Sequence, residues 1–418
     1  MSLPRRLLLI LGLLLTATAG TAALRVGAAF ADITPRLGEH EMRGMNGQGG
    51  PVDDIHDPLS ATVVVFANGD DRVALVSLDL IGFSNDAWDA IRAGIERDTG
   101  ITQVISAVTH NHGSGFPTGV TSEYIVAQTL GAARAAAADL APARLGYGTT
   151  QHNEGYNRRI VNADGSVSML WNNRDRRPTF PVDDELGVLS FRRLEDDTAI
   201  ATLVNYSVHP VISMNFDRLI VSGDYPAAMA TKVEAAIGGE CVFLLGAAGD
   251  INPYDADMFR YATPDEVFAT IDTVSSNVAH AVLGVHQRMA TFQEDVSLSF
   301  ERHALPFADR RGGLHAPKTR DLEMITFLVG GRYALATFPG ELFVELGLDF
   351  KRRSPAEATW VIANAYDSSG YLPTMQAAAE GGYGAASSTR LELGAGERMV
   401  HQALVGIRYQ LDLVQPLN

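Results

Sequence analysis

The feature that most restricts the fold is the alternation of apolar, strand-like runs with amphipathic helical runs along the chain. Two of the apolar runs, SATVVVFANG and RVALVSLDLIG, meet at Gly69-Asp70-Asp71, which predicts a β-hairpin and hence antiparallel pairing. Other apolar runs lead to a helical run, which is typical of parallel strands joined by helices. Together they predict an α/β fold with mixed β-sheets and flanking helices, and not a purely parallel doubly wound sheet.

Local signals mark where helices begin and end. A run with helical spacing starts at Asn85 and stops at Gly100. Thr263 followed by Pro264 and Glu266 has the pattern of a capping box at the start of a long helix. The charged, turn-rich segment 171–185 predicts a long surface loop that forms part of an active-site rim.

Residues 1–23 have the composition of a cleavable signal peptide. Arg5 and Arg6 precede the apolar run LLLILGLLL, and small residues ending at Ala23 follow. The run is too short for a stable bilayer anchor, although an anchor kept in the mature protein is the alternative. We therefore expect an exported chain, secreted or periplasmic, whose residues 24–418 form a single large domain.

Charge and cysteine content restrict the function. The net charge of −16 argues against nucleic acid as a partner and against electrostatic docking on anionic lipid. Cys241 is the only cysteine, so neither an intramolecular disulfide nor a cysteine-rich zinc cluster can form. Any metal ion must therefore be held by histidine nitrogen and by carboxylate or phenolate oxygen.

Metal-capable side chains recur just after predicted strands. His110 and His112 follow the apolar run VISAV, and His209 follows another such run. Glu341 comes directly after a third strand, and we expect it at the start of a helix. Because α/β folds assemble their sites from loops at strand ends, these side chains can meet. Two histidines, one glutamate and water form a known catalytic zinc set.

The sequence lacks the motifs of three other classes of hydrolase. The pair His110-x-His112 continues as Gly113-Ser114, where metallo-β-lactamase-like hydrolases continue as x-Asp-His. The helical His-Glu-x-x-His motif of zincins and the Gly-x-Ser-x-Gly nucleophile elbow are both absent.

A set of ten stretches, in order along nearly the whole mature chain, resembles the neutral (alkaline, non-lysosomal) ceramidases. These stretches are VGAAFADITP, DDIHDPLSATVVVF, SAVTHNHGSG, GYNRR, NYSVHPV, VSGDYP, GAAGDINP, FPGELF, NAYDSSGYLP and EGGYGAAS. The resemblance implies a zinc-dependent catalytic domain of that type.

Matching the family's motifs residue by residue gives an expected site. The resemblance implies that zinc is bound by four side chains, His110, His209, Glu341 and Tyr371. It also implies that three further side chains act on the substrate as catalytic groups, His112, Arg158 and Tyr383. Each zinc-binding histidine is expected to donate its other ring N–H to a hydrogen-bond acceptor, for which Asp224 and Asp250 are both candidates.

Several of these side chains could instead have a purely structural role. His209 could cap a strand in the core, and Glu341 would be favoured at a helix start by the helix dipole. Tyr371 and Tyr383 could be packing aromatics. Arg158, beside another arginine, could belong to a solvated surface patch.

The chain also departs from the family pattern. The family's Gly-Asp-x-Ser-Pro segment has a serine where this chain has Asn252, which cannot act as a nucleophile, and this favours activated water. The family carries a C-terminal immunoglobulin-like domain, and we expect none here because the sequence ends at Asn418 soon after the last motif. The loops that would shape a lipid pocket do not align.

The expected function is hydrolysis of N-acyl amide bonds by zinc-activated water. The substrate would be ceramide, releasing a fatty acid and sphingosine, or a related small N-acyl or lipid molecule, with transient membrane contact to reach it. Two alternatives stay open: a catalytically silent relative that binds a ligand, and a zinc esterase or lactonase that uses the same site.

Overall fold

The computed structural model describes residues 23–44, 49–214, 219–256, 263–310 and 319–414. Apart from Ala23, the predicted signal peptide lies outside the described residues. In the described part of the chain there are 24 strands and seven helices.

In the first half of the chain the elements are β1 (Arg25–Asp32), β2 (Glu41–Arg43), β3 (Gly49–Pro51), β4 (Asp54–Ile55), β5 (Ser60–Asn68), β6 (Asp71–Leu78), α1 (Asn85–Thr99), β7 (Gln103–Val108), β8 (Phe116–Pro117), α2 (Gly119–Ala138), β9 (Ala141–Gln151), β10 (Gly155–Asn157), β11 (Arg159–Val161), β12 (Val167–Met169), β13 (Glu185–Arg193) and β14 (Ala199–Tyr206).

In the second half they are β15 (Ile220–Val221), α3 (Asp224–Ile237), β16 (Glu240–Leu245), β17 (Ile251–Pro253), α4 (Pro264–Arg288), β18 (Phe292–Gln293), β19 (Leu298–Ala308), β20 (Thr319–Val329), β21 (Tyr333–Thr337), β22 (Glu341–Leu342), α5 (Val344–Arg353), β23 (Ala358–Ile362), β24 (Tyr371–Leu372), α6 (Met375–Glu380) and α7 (Ala395–Gln410).

The largest sheet has nine strands, of which eight follow the order β16-β14-β13-β9-β1-β5-β6-β7 and β18 pairs with β9. Its pairs are antiparallel except β14 with β16 and β6 with β7. The predicted hairpin is confirmed, since Asn68 in β5 faces Asp71 in β6. The mixed-sheet α/β prediction is therefore correct.

A second sheet, β19-β20-β21-β23, packs face to face on the first. Phe66, Leu189 and Leu203 of the nine-stranded sheet share one hydrophobic cluster with Phe327 and Trp360 of the four-stranded sheet. On the outer faces, α1 and α2 pack on β5 and β6, α3 and α4 pack on β14 and β16, and α5 and α7 pack on the smaller sheet. Two sheets between helical layers thus form one continuous domain.

Close approach between the two sheets depends on Gly187 in β13. A Cβ at this position would lie 2.6 Å from Nε1 of Trp360, which is 2% exposed. The absence of a side chain on β13 is therefore what leaves room for the indole.

Helix ends follow the sequence signals. Gly100 ends α1 in the left-handed conformation at φ 73°. Thr263 and Glu266 form the predicted capping box at the start of α4. Segment 171–185 lies outside regular structure as far as Asp184, as predicted. Strands β9 and β13 and helix α7 were not predicted, because their apolar periodicity is weak or interrupted by glycine and charge.

No helix among the described residues has both the length and the hydropathy needed to cross a membrane.

Candidate metal centre

The candidate site lies where the carboxyl ends of several strands converge. His110 follows β7, His209 follows β14, and the segment with Asp250 and Asn252 follows β16. Glu341 follows β21 of the other sheet. Strands β6 and β7, β14 and β16, and β21 and β23 are parallel pairs, so the loops after them emerge at the same edge. This topology brings distant residues together.

His110 is held in a fixed orientation. Its backbone has φ 60°, a left-handed conformation that is uncommon for any residue but glycine. Its amide donates to the Leu80 carbonyl at 2.9 Å, and its ring Nδ1 lies 2.6 Å from the Ile81 carbonyl oxygen. Because a carbonyl only accepts, Nδ1 carries the proton, and Nε2 presents a lone pair to the site.

His209 is oriented in the same way. Its Nδ1 lies 3.1 Å from the Ala248 carbonyl oxygen, so its Nε2 also presents a lone pair. Backbone carbonyls therefore do what we expected of Asp224 or Asp250, and that expectation is wrong. Asp224 instead accepts from the amide and hydroxyl of Ser213, at 2.7 and 2.6 Å.

Glu341 lies in β22 and not at the start of a helix, which corrects the expectation from sequence. Its strand pairs in parallel with β24, so that Glu341 is aligned with Tyr371. Glu341 Oε2 lies 3.7 Å from His110 Nε2 and 3.6 Å from His209 Nε2. Glu341 Oε2 and His110 Nε2 are both buried without a hydrogen-bond partner.

His112 completes the group. Its Nε2 lies 3.2 Å from His209 Nε2, and its Nδ1 lies 3.3 Å from the thioether sulfur of Met214, a weak acceptor. The ligand atoms of His110, His112 and His209 all lie within 4.8 Å of one another. The three imidazoles thus turn their Nε2 atoms toward one point.

These residues fit a metal ion. Two ligands of a tetrahedral zinc ion with bonds of about 2.1 Å are about 3.4 Å apart, close to the separations between these side chains. His110 Nε2 and Glu341 Oε2 are buried without a hydrogen-bond partner, and a cation between them and the His209 Nε2 atom would satisfy both. The arrangement is therefore compatible with a metal site.

Burial favours the neutral form of two site histidines, His112 and His209. Burial lowers the pKa of His209 and of His112 well below the usual value, and the neighbouring His110 and Arg158 lower both further. Neutral imidazole is the form that binds a metal. Burial, followed by the charge of Glu341, raises the pKa of Tyr371 well above its usual value.

Arg158 is a buried member of the site and not part of a surface patch. It is 2% exposed, and its guanidinium donates to Asn252 Oδ1 at 3.0 Å, to the Gly249 carbonyl at 2.7 Å and to the Tyr371 hydroxyl at 3.1 Å. Asn252 faces Tyr156 across the β10–β17 pair, which places its side chain beside Arg158. The residue that departs from the family pattern therefore holds Arg158.

Asp250 ties the parts of the site together. Its Oδ1 accepts from the Val344 amide at 2.9 Å, and its Oδ2 accepts from Asn157 at 2.8 Å. Its carbonyl accepts from the Arg158 amide at 2.9 Å. One buried carboxylate thereby connects the Glu341 segment to the Arg158 segment.

Aromatic rings enclose Arg158. The guanidinium carbon lies 5.5 Å from the ring centroids of Trp171 and Tyr371 and 5.3 Å from that of Tyr383. Tyr383 contacts both other rings edge to face at 5.3 Å and is 38% exposed. Trp171 was missed as a site residue, and its only sequence signal was its place at the start of the predicted rim loop.

The structure thus brings all seven predicted side chains into one cluster with Asn252 and Trp171. Direct contacts connect His110, His112, His209 and Glu341, and a second set connects Arg158, Tyr371 and Tyr383.

Comparison with known proteins identifies the fold. The chain superposes on the neutral ceramidase from Pseudomonas aeruginosa with a TM-score of 0.76 at 17% identity, covering 95% of this chain and 76% of that one. It superposes on a ceramidase complexed with C2 with a TM-score of 0.74 at 17% identity, covering 95% and 77%. The chain has the neutral ceramidase fold.

The neutral ceramidase fold is visible here in structure and not in overall sequence similarity. No protein-family model and no curated protein sequence matches this chain. The resemblance seen in ten short stretches is nevertheless correct for the fold, and several of those stretches supply the residues of the candidate centre.

Proposed function

We propose that this protein is a zinc-dependent hydrolase of N-acyl amide bonds, with ceramide or a related N-acyl lipid as substrate. One observation carries the proposal. In a neutral ceramidase fold, His110 Nε2 and His209 Nε2 lie 3.7 and 3.6 Å from Glu341 Oε2, and neither His110 Nε2 nor Glu341 Oε2 has a hydrogen-bond partner. Such a set is costly to bury without a cation.

His110, His209, Glu341 and Tyr371 are the proposed zinc ligands. When bound, zinc would lower the pKa of a coordinated water to about 7 and would polarise a carbonyl oxygen. The carbonyls of Ile81 and Ala248 fix the two imidazole rings, so that the ligand atoms are in place before the metal arrives.

The other side chains act on the substrate. Hydrolysis forms a bond from the water oxygen to the carbonyl carbon, breaks the C–N bond and transfers a proton to the leaving amine. His112, beside the proposed ligands, carries that proton. Arg158 supplies a buried positive charge for the negative charge that develops on the carbonyl oxygen, and the Tyr383 hydroxyl is a further donor.

The proposed substrate and the proposed location rest on separate observations. A small N-acyl or lipid molecule is the proposed partner, reached by transient membrane contact, with no nucleic acid involved. The signal-peptide composition of residues 1–23 supports export to the periplasm or the exterior.

Metal analysis of the purified protein tests the proposal. We expect about one zinc per chain in the wild type and little in His110→Ala and His209→Ala. His401→Ala is the matched control, because His401 is exposed on α7 and contacts none of the proposed ligands. The same analysis of Tyr371→Phe and His112→Ala shows whether the phenol or the third imidazole is the fourth protein ligand.

Substrate screening separates the alternatives. A metal-loaded enzyme that cleaves N-acyl amides faster than the matched esters supports the amidohydrolase, and the reverse preference indicates an esterase or lactonase. Full zinc in His209→Ala would contradict the ligand assignment. Zinc binding without hydrolysis of either series would indicate a silent ligand-binding relative.

A further inference from the structure

We propose that Trp171 is a substrate-binding residue that selects molecules carrying a long apolar chain on either side of the cleaved bond. This inference rests on the proposed function and adds a residue that the family resemblance did not supply.

The position of Trp171 supports a direct role. Its ring contacts Tyr383 edge to face at 5.3 Å, and both rings lie within 5.5 Å of the Arg158 guanidinium carbon. Arg158 is 2% exposed, whereas Tyr383 is 38% exposed and Trp171 is half-buried. The two rings therefore cover a buried charge on one side and present apolar surface to solvent on the other.

That surface suits an apolar chain. An indole offers a large, rigid and mostly apolar surface, and it loses little conformational entropy when a ligand packs on it. The rings border Arg158, which in turn contacts Tyr371, a proposed zinc ligand. A molecule with its reacting carbonyl at the metal centre can therefore lay its chain across Trp171 and Tyr383.

Trp171 is held in place before a ligand binds. The amide of the preceding Leu170 donates to the Arg158 carbonyl at 2.7 Å. Two residues further on, the buried Asn173 donates to the Arg177 carbonyl at 2.8 Å and accepts from the Arg177 amide at 3.0 Å. Such anchoring on both sides is what a preorganised binding residue needs.

Steady-state kinetics with paired substrates test the inference. One pair is the N-dodecanoyl and N-acetyl derivatives of the same amine, and the other is the dodecylamine and methylamine amides of the same acid. In Trp171→Ala we expect kcat/KM for a long-chain member to fall about tenfold or more, mainly through KM, since one or two methylene contacts have effects of this size. Short-chain members should fall by a smaller factor, so that the ratio of long-chain to short-chain kcat/KM decreases.

Two variants serve as controls. Trp171→Phe keeps an aromatic surface and should restore most of the chain-length preference. Phe30→Ala removes an aromatic side chain that is 60% exposed on β1, a strand without any residue of the candidate centre, and should change neither pair.

Fluorescence gives a readout that is independent of catalysis. The chain has three tryptophans, and Trp88 and Trp360 are 1% and 2% exposed, so acrylamide quenching reports mainly on Trp171. We expect dodecanoate, but not acetate, to protect this fluorescence from acrylamide, and Trp171→Phe to lose the acrylamide-sensitive part.

The outcomes separate this inference from the proposed function. Protection by dodecanoate in a protein that hydrolyses no amide would support Trp171 as a ligand-binding residue and contradict the proposed activity. Amide hydrolysis with an unchanged chain-length preference in Trp171→Ala, or dodecanoate binding without protection, would overturn the inference and leave the activity standing.

Discussion

Replacing Asn252 by leucine tests whether this residue acts by holding Arg158. Leucine has the same number of side-chain heavy atoms and the same branching as asparagine but no hydrogen-bonding group. Asn252 is fully buried, and its Oδ1 accepts from the Arg158 guanidinium at 3.0 Å. The substitution leaves one donor of a buried cation without its acceptor.

The expected magnitude follows from that one contact. A hydrogen bond to a charged group contributes about 1.5–3 kcal/mol. If this hydrogen bond stabilises the transition state, its loss lowers kcat/KM about 10- to 150-fold, because each 1.4 kcal/mol corresponds to a factor of ten. Asn252→Ser should fall less, since a hydroxyl still accepts a hydrogen bond, directly or through water.

The assay combines kcat/KM on an N-acyl amide with urea denaturation. Asn205→Leu is the matched control, because Asn205 is also a buried asparagine and donates to the carbonyls of Leu244 and Val361 at 2.9 and 2.8 Å. We expect Asn205→Leu to lower the free energy of unfolding and to leave kcat/KM of the folded enzyme close to wild type.

Two results would refute this reasoning. Wild-type kcat/KM in Asn252→Leu would show that the contact with Arg158 does not matter for the reaction. A covalent acyl adduct on the wild-type protein would show that a side-chain nucleophile, and not water, attacks the substrate.

The remaining predictions concern stability. Burial raises the pKa of Asp79 from 3.8 to about 7, so its contribution to the free energy of unfolding is complete below about pH 4 and is lost as the pH rises through 7. Asp79→Asn mimics the protonated form, so its free energy of unfolding relative to the wild type should rise between pH 5 and pH 8 by at most about 3 kcal/mol in urea denaturation, because the pKa of about 7 lies about two units above pH 5. An equal difference at both pH values would contradict this. Gly187→Ala places a Cβ 2.6 Å from the Trp360 indole and should cost about 1–3 kcal/mol of unfolding free energy. Gly50→Ala, with nothing within 4 Å, is its control, and equal Tm values for the two variants would rule out the clash.

Much of the fold could be predicted because its signals are local. The hairpin at Gly69, the helix end at Gly100 and the capping box at Thr263 each depend on a few neighbouring residues. The prediction that Glu341 starts a helix was wrong. Strand β22 exists only through its pairing with β24, which begins at Tyr371, and the local sequence does not show that partner. Strand pairing between distant segments is a tertiary effect.

The sequence predicted most of the residues that form the site, but it did not predict which groups hydrogen-bond to them. Residue types at strand ends, together with the family motifs, selected His110, His209 and Glu341, because metal-binding chemistry limits which side chains can serve. Sequence could not show that backbone carbonyls, and not Asp224 or Asp250, orient the imidazoles, since every residue has a carbonyl and only the fold decides where it points.

The sequence by itself determined the alternation of strands and helices, the oxygen and nitrogen chemistry open to a chain with one cysteine, and the set of candidate ligands. Only the tertiary structure decided that Arg158 is buried, that Asn252 holds it and that Trp171 covers it. The physical reason is the sequence separation over which each kind of interaction acts. Turn and capping energies act within a few residues, whereas burial and side-chain contact depend on segments that are far apart in the chain and meet only when the two sheets pack together.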